Sequence, residues 1–323
     1  MYGLMQLLLR TPNRLPAGVD PLFHPPGEAY CAPGYWVAMS AAARNSQKSL
    51  HELAIPDDRI GYAHAIGIER ALGLNDSYPF PRHGKGKNYS PLVVLSDVDA
   101  TDEASRDINS CLRAMFAGDS LRQFIAELAA VVGDLHDNVW SHGESTGISM
   151  AQKWAKPGKK HHYIEFALAD CGKGLLGELK RSGVARRMDI STDEQAIAWC
   201  VQCGNSSKKR EDDDWGQRLP TDVMGSPMGN FGRIVVKENH HQGLGLFKLC
   251  NLVEQYNGQL WLASGSSMLI IDERGNRRYV TLSTPWSGVA VACRFCTESV
   301  GSRLASAQSV ETELDTILRQ LFS

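Results

Sequence analysis

Apolar residues at positions 124, 128, 131, 132, 135 and 139 recur every three or four residues, which predicts one amphipathic helix opening at Ser120. Ser120 and Gln123 have the spacing of a capping box, and Gly143 stands where a helix is commonly stopped. The pattern then shortens to strand length in GISMAQKWA and HHYIEFALAD, joined by KPGKK, whose Pro-Gly predicts a hairpin. Helical spacing returns in STDEQAIAWCVQCG and again in LGLFKLCNLVEQYNG. Four strands are predicted after that, in QLWLASG, SMLIIDE, NRRYVTLS and GVAVACRF. The tail SVETELDTILRQLF is apolar at 310, 314, 317, 318 and 321 and reads as an amphipathic helix.

The first hundred or so residues are patterned differently. LPAGVDPLFHPPGEAYCAPGYW is rich in Pro, Gly and Tyr. Helices are predicted in WVAMSAAARNS and GYAHAIGIERALGL, a strand in PLVVLSDV, and a helix with an acidic first turn in TDEASRDINSCLRAMFAG. Residues 204–237 are polar, Gly-rich and charged, with KKREDDD inside, and read as a long loop. The expected organisation is a small mixed α/β N-terminal domain over residues 1–118, an α+β domain over 119–298, and a C-terminal helix over 299–323.

A chain of 323 residues has room for two domains. Its formal charge of −2 gives no global attraction to nucleic acid or to an anionic membrane. No apolar run reaches the length of a membrane span, and the start lacks the basic region and cleavage site of a signal peptide. Eight cysteines without an export signal point to reduced thiols and a cytoplasmic location.

The candidate chemistry begins in DLHDNVWSHG, residues 134–143. Asp134, Asn138 and His142 are each four apart, so they form one polar stripe along roughly 12 Å of helix. Alone, such a stripe is the solvated edge of a core helix. Two further segments change its meaning. In FALADCGKGL an apolar strand ends in Asp170, followed by Gly172 and Gly174, so a carboxylate meets a turn that lets backbone approach a ligand closely. In HHQGLGLFKLCNLV, Gly243 and Gly245 open a helix, and a Gly-rich helix N-terminus offers free N–H groups to phosphate.

The order of these parts is more specific than any one of them. An acid-x-x-x-Asn helix, a strand ending in Asp-x-Gly-x-Gly, a long loop, and QGLGL opening a helix that ends in Asn-Gly before a strand resemble the GHKL ATP-binding domain. The STDEQAIAWCVQCGNSS segment and the terminal strand with its PWSG turn look like bacterial stand-alone histidine-kinase-like ATPases. The resemblance covers roughly residues 119–297. It implies a GHKL α/β sandwich, a mixed sheet with helices on one face, and it implies ATP and Mg²⁺ as cofactors.

Carried over one residue at a time, the resemblance makes Asn138 the magnesium ligand and Asp170 the acceptor of the adenine amine. Gly172 and Gly174 would shape the adenine pocket, and Gly243 and Gly245 would contact the phosphates. The residues between Gly174 and Gly243 would form the lid over the nucleotide. A cation near the γ-phosphate is expected from Lys237 or from His240 and His241. Asp134 stands where hydrolytic members carry a glutamate general base. Aspartate is one methylene shorter, and a base must come within about 3 Å of its proton, so the resemblance leaves turnover open. His142 is assigned no catalytic role.

Other signals carry less. Cys200/Cys203 and Cys293/Cys296 are Cys-x-x-Cys pairs far apart in sequence, and the second lies on a predicted strand where positions three apart face opposite ways. HGKGKN lacks the full phosphate-loop spacing, and DVDATDE lacks the glycine and distal glutamate of a calcium loop. Three readings of function remain. The first is a cytoplasmic Mg·ATP-gated regulator with a protein partner or a second protomer to switch, with or without slow hydrolysis. The second is a kinase that passes the γ-phosphoryl to a partner protein. The third is a binding module without turnover.

Overall fold

The computed structural model describes residues 1–9, 30–53, 55–116, 119–139, 145–155, 158, 161–205 and 244–307. Helices α1 (Leu4–Leu8), α2 (Pro33–Asn45), α3 (Asp57–Ala65) and α4 (Ile68–Ala71) come first, then strand β1 (Val93–Leu95) and helix α5 (Val98–Met115). Helix α6 (Arg122–Asn138), strands β2 (Gly147–Ala155) and β3 (His162–Asp170), and helices α7 (Gly174–Arg181), α8 (Val184–Arg187) and α9 (Asp193–Cys200) follow. Helix α10 (Gly245–Gln255) and strands β4 (Gln259–Ile271) and β5 (Arg277–Cys296) close the series. Residues 297–307 are helical.

The architecture is α+β. The five strands make one sheet in the order β1-β2-β3-β5-β4, and every neighbouring pair is antiparallel. The expected mixed sheet is therefore corrected. β2 pairs with β3 and β4 with β5 as sequence neighbours, helices α5 and α6 lead from β1 to its antiparallel partner β2, and no parallel pairing joins the described strands of the sheet. The β2–β3 hairpin forms as the Pro-Gly signal predicts, with Gly147 opposite Asp170 and Ala155 opposite His162.

Side-chain alternation divides the sheet into two buried faces. Ile164, Phe166 and Leu168 of β3 join Val291, Cys293 and Phe295 of β5 in a core shared with α5, α6 and α10. The other face is paved with Ala167, Ala169, Ala263, Ala290 and Ala292 and is covered by α1 and α2. Small residues there let a helix come close: a Cβ on Gly34 would lie 3.0 Å from the Cβ of Ala292. Helices thus cover both faces, which corrects the expectation of one. The predicted boundary at residue 118 separates no two cores. β1 extends the same sheet, α5 packs in the same core as α6, and α2 lies on the sheet's second face.

An ion pair fastens that second layer. Glu165 and Arg294 are cross-strand partners, and Arg294 donates to Glu165 Oε2 through Nε at 2.8 Å, with its Nη2 at 2.6 Å. The guanidinium also lies over Trp261, 4.9 Å from the ring centroid. Glu165, fully buried, accepts from the backbone N–H of Gly34 at 2.8 Å, so the free N–H groups of the first turn of α2 meet a negative charge.

Four local expectations change. The Ser120/Gln123 capping box does not form. A 3₁₀ turn over Asp119–Leu121 leads into α6 with Leu121 at the cap, and Gln123 donates instead to Glu127 at 3.0 Å. GYAHAIGIERALGL is broken at Gly67, whose φ of 86° interrupts the helix between α3 and α4. The four strands predicted at the end are two long ones, with PWSG inside β5 at the register shift near Gly265. Helices α7 and α8 arise in a stretch expected to be lid. The predicted C-terminal cap at Gly143 and the apolar positions from 310 onward lie outside the described residues.

Candidate functional site

Asp170 is the last residue of β3 and follows Ile164, Phe166 and Leu168 by twos, so it shares their face of the sheet, toward α6. It is 4% exposed. Its Oδ1 accepts from the Gly172 N–H at 2.8 Å, an Asx-type turn, and from the Ser145 hydroxyl at 3.3 Å. Burial pushes its pKa up to about 6, partly offset by backbone hydrogen bonds from Gly172 and Val289 and by Ser145.

The turn after Asp170 is held by the PWSG segment. Trp286 Nε1 donates to the Asp170 carbonyl at 3.0 Å. Gly288 has φ 89°, and a Cβ there would lie 2.4 Å from the Asp170 carbonyl oxygen, so only glycine fits. Gly174 has φ 69°, and a Cβ on it would come 2.9 Å from Ser264 Oγ. Ser264 itself accepts from the Leu175 N–H at 2.9 Å and donates to the Gly288 carbonyl at 2.9 Å.

The polar stripe of α6 lies where its spacing predicts, with Asp134 and Asn138 half-buried beside fully covered Leu135 and Val139. Gly245, the first residue of α10, packs against both. A Cβ there would sit 3.2 Å from Asp134 Cβ and 3.3 Å from Asn138 Nδ2. The stripe and the Asp170 turn are joined through one contact. Val139, next to Asn138, abuts Gly147, where a Cβ would come 2.7 Å from Val139 Cγ1, and Gly147 is the strand partner of Asp170. Asp134, Asn138, Asp170, Gly172, Gly174 and Gly245 therefore gather at one end of the sheet. Lys237, Gly243, His142, His240 and His241 lie outside the described residues.

Four further residues contribute to the site. Lys248, one turn into α10, donates to Asp134 Oδ2 at 2.7 Å. Ser145 bonds Asp170, Ser264 ties the Gly174 turn down, and Gly288 makes room for Asp170. In the sequence PWSG reads as a turn, and its glycine before an apolar strand is the signal that points to Gly288. Nothing in sequence spacing points to Lys248.

A pocket of about 480 Å³ opens beside the Asp170 turn, lined by Ser145, Thr146, Gly172 and Lys173 on one side and by Arg44 and Asn45 of α2 on the other. It lies on the α2 side of the turn and does not include Asn138 or Gly245.

All eight cysteines are free thiols, and no helix among the described residues is long and apolar enough to cross a membrane. Comparison with known proteins gives no match to a protein family, to a curated protein or to a solved structure.

Proposed function

We propose that this chain binds Mg·ATP at the end of the sheet where Asp170, Asn138 and Gly245 meet, and that it is a nucleotide-gated regulatory protein of GHKL type. The observation that carries the reading is the convergence of a buried strand-end carboxylate with an asparagine that faces the glycine at a helix N-terminus. These residues come from three elements far apart in sequence, and each is of the type the nucleotide's parts require. The layer of helices on the second sheet face is a departure from the one-sided arrangement the resemblance implies.

The residues fit the ligand. A purine amine needs an acceptor, and the Asp170 carboxylate, desolvated and fixed by Gly172 and Ser145, offers one in a site where a hydrogen bond is strong. The phosphates need donors, and the first N–H groups of α10 have no partner inside the helix. Magnesium takes oxygen ligands and keeps several waters, so the amide oxygen of Asn138 together with the phosphates is a sufficient set. Bound there, the ion would neutralise phosphate charge.

Slow turnover, or none, is favoured by one observation. Asp134, the candidate base, is ion-paired with Lys248 at 2.7 Å, which ties up the oxygen a water would have to approach. The regulatory step then rests on contacts that differ between the nucleotide-bound and free states, read out by a protein partner or a second protomer. Calorimetry tests the site: Asp170→Asn is expected to weaken ATP binding sharply and Asn138→Ala to remove its Mg²⁺ dependence. Unchanged affinity in both variants would sink the assignment. γ-Labelled ATP separates the functions, with free phosphate indicating an ATPase, a labelled protein a kinase, and neither a binding module.

A further inference from the structure

At the opposite end of β3 from Asp170, three side chains with metal-binding atoms converge. We propose that His161, Cys296 and Glu298 form a site for a zinc-type divalent cation, with a fourth position open to water or to a partner's ligand. The ligand atoms of the three residues all lie within 4.8 Å of one another, and His161 Nδ1 is 3.1 Å from Glu298 Oε2. In a tetrahedral zinc site, with bonds of about 2.0–2.3 Å, ligand atoms stand roughly 3.2–3.6 Å apart. The imidazole–carboxylate pair, at 3.1 Å, stands just short of that spacing. Glu298, whose side chain is 72% exposed, has room to adjust as a metal draws the ligand atoms together.

The backbone around the three is fixed by independent contacts, so the site is built before a metal arrives. Tyr163 and Cys296 are strand partners across β3 and β5. The His162 N–H donates to Thr297 Oγ1 at 3.0 Å, fixing the residue after His161 against the one between Cys296 and Glu298. The His161 ring packs edge-on against Tyr163, with centroids 5.4 Å apart at 75°, which orients the imidazole. Cys293, the other member of the Cys-x-x-Cys pair, is fully buried in the core and faces away, so the sulfur that serves is Cys296 alone.

The donor set selects the metal class. One thiolate, one imidazole and one carboxylate suit zinc and its neighbours, whereas magnesium and calcium prefer oxygen throughout. Binding releases the Cys296 thiol proton to solvent as the sulfur–metal bond forms. The thiolate and the Glu298 carboxylate then balance the ion's two charges. Coordination would tie the end of the β2–β3 hairpin to the helical residues 297–307, so metal should stabilise the fold by mass action.

The test uses the full chain without nucleotide. Titration with Co²⁺ alone should give one equivalent of binding with a thiolate-to-cobalt absorption band, displaced by Zn²⁺, and Zn²⁺ should raise Tm. Cys296→Ser should abolish the band. Glu298→Gln, an exposed position that spares folding, should weaken binding by at least about tenfold, as should His161→Gln, while Cys203→Ser should leave it unchanged. Absence of the band in the wild type, its persistence in Cys296→Ser, or Glu298→Gln binding as tightly as the wild type would overturn the site. None of these outcomes bears on ATP binding.

Discussion

Lys248 Nζ lies 2.7 Å from Asp134 Oδ2, joining the first turn of α10 to the C-terminal half of α6. The lysine side chain is 46% exposed, so the pair adds little to stability, roughly 0.5 kcal/mol. Its importance is chemical. A cation in the first turn of a helix opposes the helix dipole, and Asp134 offsets that. A phosphate arriving at the same N-terminus can take another of the three ammonium donors of Lys248 while the Asp134 pair stays in place. Lys248→Met is therefore expected to weaken ATP binding by about tenfold, the ~1.4 kcal/mol of one charge-assisted contact, while adenosine binding stays the same. Any phosphate release by the wild-type chain should vanish in Asp134→Asn and rise in Asp134→Glu, which restores the missing methylene. Release that persists in Asp134→Asn would remove Asp134 from the role of base.

At the proposed site Asp170 would give ligand binding a pH dependence. Its folded pKa is raised to about 6 from 3.8. The stability it contributes is thus fully present below pH 3.8 and is lost as pH rises through about 6, where the buried group must ionise. An amine donated to the carboxylate favours the ionised form, so ligand binding displaces a proton in that window. ATP affinity should rise between pH 5 and 7.5 in the wild type. ATP's own titration is removed by comparison with Asp170→Asn, in which the rise should be smaller and the affinity low at every pH. Parallel pH profiles for the two proteins in calorimetry would mean that Asp170 does not meet the ligand.

Asp170, Gly172 and Gly174 were legible in the sequence because a strand-ending acid followed by closely spaced glycines has few structural uses. The α6 stripe was legible because helical spacing fixes which residues share a face. Lys248 was not legible: its partner is 114 positions away, and only the packing of α10 on α6 brings the two together. The second layer of helices was half legible. FALA in β3 and VAVAC in β5 are continuous apolar runs, the mark of a sheet buried on both faces, but the Pro/Gly-rich composition of the first hundred residues drew them toward a separate domain. The Ser120 cap does not form because a 3₁₀ turn over Asp119–Leu121 precedes α6, which starts at Arg122 with Leu121 at the cap, a shift of the size helix ends commonly show.

The shared core has a consequence for dissection of the chain. A fragment beginning at residue 119 would lose α2 and β1, exposing Ile148, Met150, Ala290 and Ala292, all fully buried in the intact protein, and leaving Glu165 without the Gly34 N–H it accepts from. A bare apolar sheet face of that size is an aggregation surface. The fragment 119–307 is expected to be insoluble or to melt far below the longer chain 1–307. A monomeric fragment with a cooperative transition near that of 1–307 would restore the boundary at 118.

His136 gives the last expectation, and its tautomer follows from its neighbours. It is fully buried on α6, with Nδ1 2.8 Å from Ser105 Oγ and Nε2 2.9 Å from Ser149 Oγ. Ser149 spends its hydroxyl proton on the Ala167 carbonyl at 3.0 Å, so it accepts from Nε2–H, and Ser105 donates to Nδ1. Both ring nitrogens are satisfied only while the imidazole is neutral, and burial lowers its pKa from 6.5 to about 3. The contribution to stability is complete above pH 6.5. It is lost as pH falls toward 3, at up to ~1.4 kcal/mol per pH unit, because the unfolded chain takes up a proton the folded one refuses. His136→Gln should be less stable than the wild type at pH 7.5, and the gap in urea midpoints should narrow by pH 5. A gap independent of pH would mean that the buried imidazole titrates at its ordinary value and that the serine pair does not hold it neutral.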